Sequence, residues 1–360
     1  MITFVSGEYP PDVGGLGDYT LRLREALTNR GCLSRVVSRR QVRRWNARST
    51  LWLLRHAPGT GIVHIQYQAA AYDLLGDICL VPGLLRGLRP RVRTVATFHD
   101  LRVPYLFPKA GALRPVAIRL LARTSHAAIA ADQRDIAALR QVTRATFQVA
   151  IGPNVVRNPP DGYERAAFRR SLGLEPDDLA LVYFGLLNAS KGLDLLLSAF
   201  ECIRTWRPGA RLLMLGGPAG ASDPTDRTTG GSLRARLGRL GAATIQTGWL
   251  PPRELSGYLL AGDVALLPYV DGASARRGSL LACAEHGLPI VSTQPAGLEV
   301  AGHVQAVEPR AAALAEAVLS AAADPAPLAE RSRALADRMS WPRIATDHLT
   351  IYEQLLYSRP

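Results

Sequence analysis

Short apolar runs rich in β-branched residues alternate with helix-period segments along the whole 360-residue sequence. No other feature narrows the fold as much. A strand buried on both faces reads as a brief continuous apolar run, and the step to its parallel neighbour takes a dozen or more residues, usually a helix. In the first half such runs stand at ITFVS, SRVVS, IVHIQYQ, RTVATFHD, HAAIAA and FQVAIGPN. Between the first two, GDYTLRLREALTNRG places Tyr19, Leu23, Ala26 and Leu27 at helical spacing, and Gly31 ends it. The stretch GPNVVRNPPDGYE, rich in Pro, Gly and Asn, interrupts the alternation. It resumes with LALVYFG, KGLDLLLSAFECIRTW, RLLMLGG, a helix after Gly231, TIQTGWL, PRELSGYLLAG, VALLPY, SLLACAEHG and PIVSTQ.

This order implies an α/β protein of two Rossmann-like, doubly wound domains facing a central cleft. The expected boundaries are 1–153, a linker at 154–165, a second domain at 166–340 and a terminal helix at 341–360. Ligands of such folds bind at the carboxyl ends of the strands, so residues just after each strand deserve the closest reading.

Composition matters at one point. The formal net charge is +13, yet Lys109 and Lys191 are the only lysines; every other basic side chain is arginine. Genomic bias accounts for the arginines, and against that background a retained lysine marks a place for a compact ammonium. Positive charge gathers at SRRQVRRWNAR, at Arg86, Arg89, Arg91 and Arg93, and at Arg114, Arg119 and Arg123. Such clusters are either solvated faces or phosphate-binding surfaces. Zinc-finger spacings, RNA-binding aromatic signatures and basic zippers are missing, so nucleic acid is not expected as a partner. Cys32, Cys79, Cys202 and Cys283 are scattered, as in a reducing compartment. MITFVSGEYPP has neither the basic nor the apolar region of a signal peptide, and no apolar run reaches about 18 residues. A cytoplasmic protein is expected, any membrane attachment being peripheral, at the inner face.

Four stretches carry chemistry. In SGEYPPDVGGLGDYT, Gly14 and Gly15 precede a helix whose free N–H groups suit an anion, and Asp18 follows in its first turn. The alternative is a plain tight turn. A dinucleotide fingerprint would place its glycines directly after the strand and an acid after the second strand. Here the glycines come late and Arg39-Arg40 stand at the acid's position, where they would suit a 2′-phosphate, so no nicotinamide cofactor is expected. RTVATFHD ends in His99-Asp100, a pair suited to hydrogen bonding or proton transfer, or to simple burial of the histidine. In NASKG, Ser190 is placed to cap a helix and Lys191 to sit in its first turn, against the helix dipole. A bound anion would offset that arrangement. In DGASARRGSLLACAEHGLP, Arg276, Arg277, Gly278 and Ser279 again concentrate positive potential at a helix start. Two such starts suit one diphosphate. No metal-binding motif is present, and no metal is expected.

Taken together, EYPPDVGGLGDYT, FHD, FGLLNASKGLDLLLSAF, LLMLGG, GWLPPRELSGYLLAGDVALLPY, HGLPIVST and SWPRIATDHLTIYEQLL resemble the family-4 retaining glycosyltransferases of GT-B fold. The resemblance implies metal-independent transfer of a sugar from an NDP-sugar co-substrate to a hydroxyl acceptor, with retention and no resident cofactor. It places the donor on the second domain and the acceptor on the first, and sends the last helix back onto the first domain. It gives Gly15 a backbone contact near the donor diphosphate, His99 a place near the transferred sugar, with Asp18 and Asp100 on the acceptor side, and Lys191 the leaving group. The family's paired glutamates fall on Ser274 and Ala282, and its frequent arginine falls on Leu186. Arg276 or Arg277 is therefore expected to supply the cation, Ser274 and Ser279 to donate to phosphate or sugar, and Glu285 to stand in at the ribose. The basic first half points to a lipid-linked or otherwise anionic acceptor. A silent nucleotide-sugar-binding subunit and a nucleotide-sugar epimerase are the alternatives.

Overall fold

A computed structural model describes residues 1–12, 14–99, 101, 113–185, 191–217 and 235–357. The chain divides into two compact units, Met1–Asn154 with Ser340–Pro360, and Val155–Met339.

The first unit holds β1 (Ile2–Ser6), α1 (Gly15–Thr28), β2 (Ser34–Val37), α2 (Ala47–His56), β3 (Gly61–Tyr67), α3 (Val81–Leu88), β4 (Val92–Phe98), α4 (Leu113–Thr124), β5 (Ala127–Ala130), α5 (Gln133–Arg140) and β6 (Thr146–Gln148). Its sheet is parallel, in the order β2-β1-β3-β4-β5-β6. The central β3 is buried at every position, His64 and Gln66 included, so its polar groups must find partners inside the protein. Helix α1 buries the face foreseen from its spacing, Tyr19, Leu23, Ala26 and Leu27. It ends where Gly31, at φ 78°, takes the left-handed turn.

In the second unit lie α6 (Arg165–Ser171), β7 (Ala180–Phe184), α7 (Leu193–Trp206), β8 (Arg211–Leu215), β9 (Thr244–Gly248), α8 (Pro252–Ala261), β10 (Val264–Leu267), α9 (Gly278–Glu285), β11 (Ile290–Thr293), β12 (Gln305–Val307), α10 (Ala311–Ala323) and α11 (Ala326–Arg338). This sheet is parallel in the order β12-β11-β10-β7-β8-β9. The stretch read as a linker is tied into this unit. The Asn158 N–H donates to Ser256 Oγ at 3.0 Å, and the Tyr163 hydroxyl to the Gly257 carbonyl at 3.0 Å. β12 is an edge strand that the sequence does not announce, too short to show a period.

The last helix, α12 (Trp341–Tyr357), returns to the first unit and packs on α1. Trp341, Ile344, His348, Ile351 and Tyr352 form its buried stripe. The Trp341 indole donates to the Pro153 carbonyl at 2.9 Å.

Each strand order reverses at one place, between β1 and β3 in the first sheet and between β7 and β10 in the second. At such points adjacent crossovers leave to opposite faces and open a crevice beyond the strand ends. The chemistry-bearing stretches of the sequence cluster around these two points.

Candidate functional site

In the second unit, β7 ends at Phe184 and Gly185 follows at φ 147°, a backbone state that side chains disfavour. A Cβ there would touch Lys191 Cε at 3.7 Å, the Tyr183 hydroxyl at 3.7 Å and Ser279 Oγ at 3.8 Å. Three elements therefore converge around this glycine. β10 ends beside it and delivers Tyr269, 1% exposed, whose hydroxyl pairs with Ser279 Oγ at 2.7 Å. Over the Tyr269 ring lie Lys191 Nζ, 5.1 Å from the centroid, and Arg277 Cζ, 4.7 Å from it. The negative quadrupole of the ring attracts both cations.

Burial makes the pair electrostatically costly. Burial, helped by the Arg277 charge, pulls the Lys191 ammonium down to about 8, and burial likewise lowers the Arg277 guanidinium. For Lys191 that shift corresponds to a cost on the order of 3 kcal/mol for holding the charged form. Arg277 is partly offset by an ion pair with Asp271, which is exposed. The N-terminus of α9 opens next to this cluster. Its N-cap residue, Arg277, makes no side-chain cap, and among the described residues nothing lies within 4 Å of a Cβ placed on Gly278. Free helix N–H groups beside two cations are the kind of groups that could hold an anion.

The details of Lys191 differ from the sequence reading. Helix α7 begins at Leu193, so Lys191 precedes the helix instead of occupying its first turn. The cause is Gly192, at φ 66°, where a Cβ would run into the Pro268 carbonyl. The helical backbone is broken there and the lysine turns towards Tyr269. Ser190 and Leu186 lie outside the described residues. Of the arginine pair, Arg277 faces the ring; Arg276 is half-buried in the same turn, which the Arg277 N–H closes onto the Ser274 carbonyl at 3.1 Å. Ser279 is buried within α9 and bonded to Tyr269, so it braces the ring. Glu285 ends α9 and accepts from the Arg157 backbone N–H, which commits it to the opposite end of the helix from the cluster. Ala282 is fully buried.

The first unit presents different chemistry at its crevice. Gly14 caps α1 without a side-chain bond, and its Cα lies against the Glu8 carboxylate. Gly15 is exposed at the helix start and Asp18 follows on the first turn. Burial raises the Glu8 carboxyl, as do Asp12 and Asp18, while Arg39 opposes them. Arg39 is itself occupied. It donates to the Gly7 and Ala71 carbonyls, at 3.2 Å each, and to Asp73 at 2.7 Å. It is a clamp on the end of β1, and the expectation that it suits a 2′-phosphate does not hold.

His99 follows β4 and is held by sequence-distant partners. Its Nε2–H donates to Gln66 Oε1 at 2.7 Å, and its ring meets Tyr19 edge-on at 4.7 Å. The Gln66 amide donates in turn to His64 Nε2 at 3.3 Å, which also accepts from the Thr97 hydroxyl at 2.7 Å. His64 Nδ1–H then donates to the Tyr352 hydroxyl of α12 at 2.6 Å. This chain of bonds leaves His99 Nδ1 as an acceptor. Burial lowers His99 to about 4, so the ring is neutral near pH 7. Asp100 lies outside the described residues.

Gln66, Tyr183 and Tyr269 escaped the sequence reading, because each sits inside an apolar run that reads simply as strand. Being polar at a strand's carboxyl end was the available signal.

Residues 178–324 match the model of the family described as glycosyl transferases group 1. The D-inositol 3-phosphate glycosyltransferase of Jonesia denitrificans is 30% identical over 213 residues, 54% of this chain and 48% of that protein. Its namesake in Segniliparus rotundus is 30% identical over 141 residues, 38% of this chain and 30% of that protein. The matched stretches thus span less than half of each of these curated relatives. Among solved structures, sucrose-phosphate synthase from Thermosynechococcus elongatus superposes with a TM-score of 0.71 at 19% identity, covering 98% of both chains. Anabaena HepE, solved with UDP and glucose, gives 0.69 at 16% identity over 99% of both. At such identities the likeness is one of fold. Residues 178–324, within the second unit, therefore carry the group 1 glycosyltransferase pattern, on a chain whose two Rossmann-like units have the GT-B fold.

Proposed function

We propose that the protein is a glycosyltransferase whose second unit binds the diphosphate of a nucleotide-sugar at Lys191, Arg277 and the N-terminus of α9. One observation carries this reading: two cations lie on the buried ring of Tyr269 at the point where the strand order reverses, beside the start of α9. The acceptor hydroxyl oxygen bonds to the anomeric carbon while the bond from that carbon to the diphosphate breaks. The hydroxyl proton passes to the departing phosphate. Negative charge grows on the leaving group, where fixed cations count most. Lys191 and Arg277 meet that charge without a metal, and transfer proceeds with retention. Asp18 belongs to the acceptor side of this reading and His99 to the transferred sugar, and Gly14, Gly15, Ser274, Arg276, Gly278 and Ser279 to the donor side. No resident cofactor takes part.

A thermal-shift panel of nucleoside diphosphates and NDP-sugars tests it, beginning with UDP and UDP-glucose, which accompany solved structures of the same fold. Ligands of the folded state raise Tm. Stabilisation that Arg277→Ala abolishes supports the site; a flat panel rejects it. Turnover with a stabilising donor separates the enzyme from a silent binding subunit.

A further inference from the structure

The first unit carries a surface that its fold does not explain. Helix α3 is apolar on two sides. Val81, Pro82 and Leu85 are buried, whereas Leu84 and Leu88 are 42% and 63% exposed, with Leu80 just ahead of the helix at 46%. Residues spaced by four form one row on a helix, so these leucines make a continuous exposed stripe. A surface helix normally turns its polar side outward.

Helix α4 widens the stripe. A Cβ at Gly76 would meet Ala117 at 3.7 Å, and one at Gly83 would meet Thr124 at 3.4 Å. Both chains advance by the same step in the same sense, so the two helices run side by side and parallel. On α4, Val116 and Leu120 are 58% and 37% exposed. Leu74 and Leu75 extend the patch at 39% and 43%, carried on a turn where Asp73 and Leu74 both take φ 58°. Two successive left-handed residues that are not glycine are an unfavourable way to build a loop, and here they turn leucines outward. Arg86, Arg91, Arg119 and Arg123 are exposed on and beside the same helices, and neither α3 nor α4 contains an acidic residue.

We propose that this face docks on an anionic lipid bilayer. The leucines enter the boundary between headgroups and acyl chains, and the arginines reach lipid phosphates while their stems cover apolar surface. Charge decides against a second copy of the chain as occupant, since self-association would oppose arginine to arginine. The proposal stands apart from the reaction above, because it uses none of its residues.

The full chain, sedimented with vesicles, provides the test. Binding is expected on phosphatidylcholine mixed with phosphatidylglycerol, not on phosphatidylcholine alone, and it weakens as salt is added. Arg119→Gln and Arg123→Gln each lower the partition coefficient about fivefold. Leu84→Ser combined with Leu88→Ser lowers it by more than about tenfold. Melting temperature and circular dichroism confirm that each variant is folded, and the wild-type comparison of the two vesicle types stands whatever the variants do. Equal binding to both vesicle types, no binding, or full binding by the leucine variant overturns the proposal. So does a wild-type oligomer that the leucine variant dissolves without any vesicle binding, which would assign the face to a second copy.

Discussion

The two crevices share one architecture and hold opposite electrostatics. In the second unit the strand ends collect Lys191 and Arg277 around a tyrosine ring. In the first, the helix start after β1 is flanked by Glu8 and Asp18, and the strand ends hold neutral His99 in a chain of hydrogen bonds. An incoming anion gains from one set and is repelled by the other. The fold supplies the opening, and the side chains decide what enters it. That difference is the reason for assigning the diphosphate to the second unit.

Lys191→Ala attacks this contrast most directly. Turnover falls about a hundredfold or more, the loss typical of removing one preorganised donor from developing charge. Tm of the unliganded protein stays level or rises, because a buried, repelled cation has been removed. Steady-state kinetics beside calorimetry reads both, and unchanged turnover removes Lys191 from the site.

Tyr269 sharpens the point. Tyr269→Leu discards the shared ring and weakens UDP binding about tenfold, while Tyr269→Phe keeps the face and stays within about threefold. Titration calorimetry distinguishes them, and equal losses would make the Ser279 hydrogen bond the feature that matters.

Binding and stability should also fail at opposite ends of the pH scale. In the second crevice, Lys191 loses its proton as pH rises through about 8, so diphosphate affinity drops by up to about tenfold per unit above that point. On the acid side, burial holds His99 of the first crevice near 4, His348 of α12 near 3 and His286 of the second unit near 4, against 6.5 for a free histidine. The unfolded chain then binds more protons below pH 6.5. Stability is complete above that value and falls by about 1.4 kcal/mol per unit for each such histidine as pH drops towards 4. Binding isotherms between pH 7 and 9.5 and urea melts between pH 7 and 4.5, ranges of about 2.5 units each, read the two limbs. An affinity that is flat above pH 8 would deny Lys191 a part in binding.

The smallest effect belongs to Asp271, which pairs with Arg277 and, on the proposed reading, competes with phosphate for it. Exposed pairs are worth about 0.2–1 kcal/mol, so Asp271→Asn tightens UDP binding a few-fold at most. Weaker binding would show that the carboxylate positions the arginine.

Much of the fold was legible because periodicity is local. ITFVS, IVHIQYQ and LALVYFG became β1, β3 and β7 within a residue or so at their ends. The exposed stripe of α3 was not legible, since VPGLLRGL gives no hint of which leucines the rest of the unit covers. Within the site, the rarity of lysine singled out Lys191, and the double arginine marked its turn. Neither signal could choose between Arg276 and Arg277, which depends on where β10 brings Tyr269.

The sequence by itself determined the alternation of strands and helices, the break between the halves, and the supply of cations at the two helix starts of the second half. Those follow from neighbours in the chain, through hydrophobic period and turn chemistry. The return of α12 to the first unit was already implied by the family resemblance, whereas tertiary structure alone decided the strand orders and the meeting of Lys191 with Arg277 on Tyr269. It also decided that Glu285 and Arg39 are already taken. The reason is physical: whether a charged group is available for a ligand depends on which distant groups satisfy it first, and those contacts span tens to hundreds of residues.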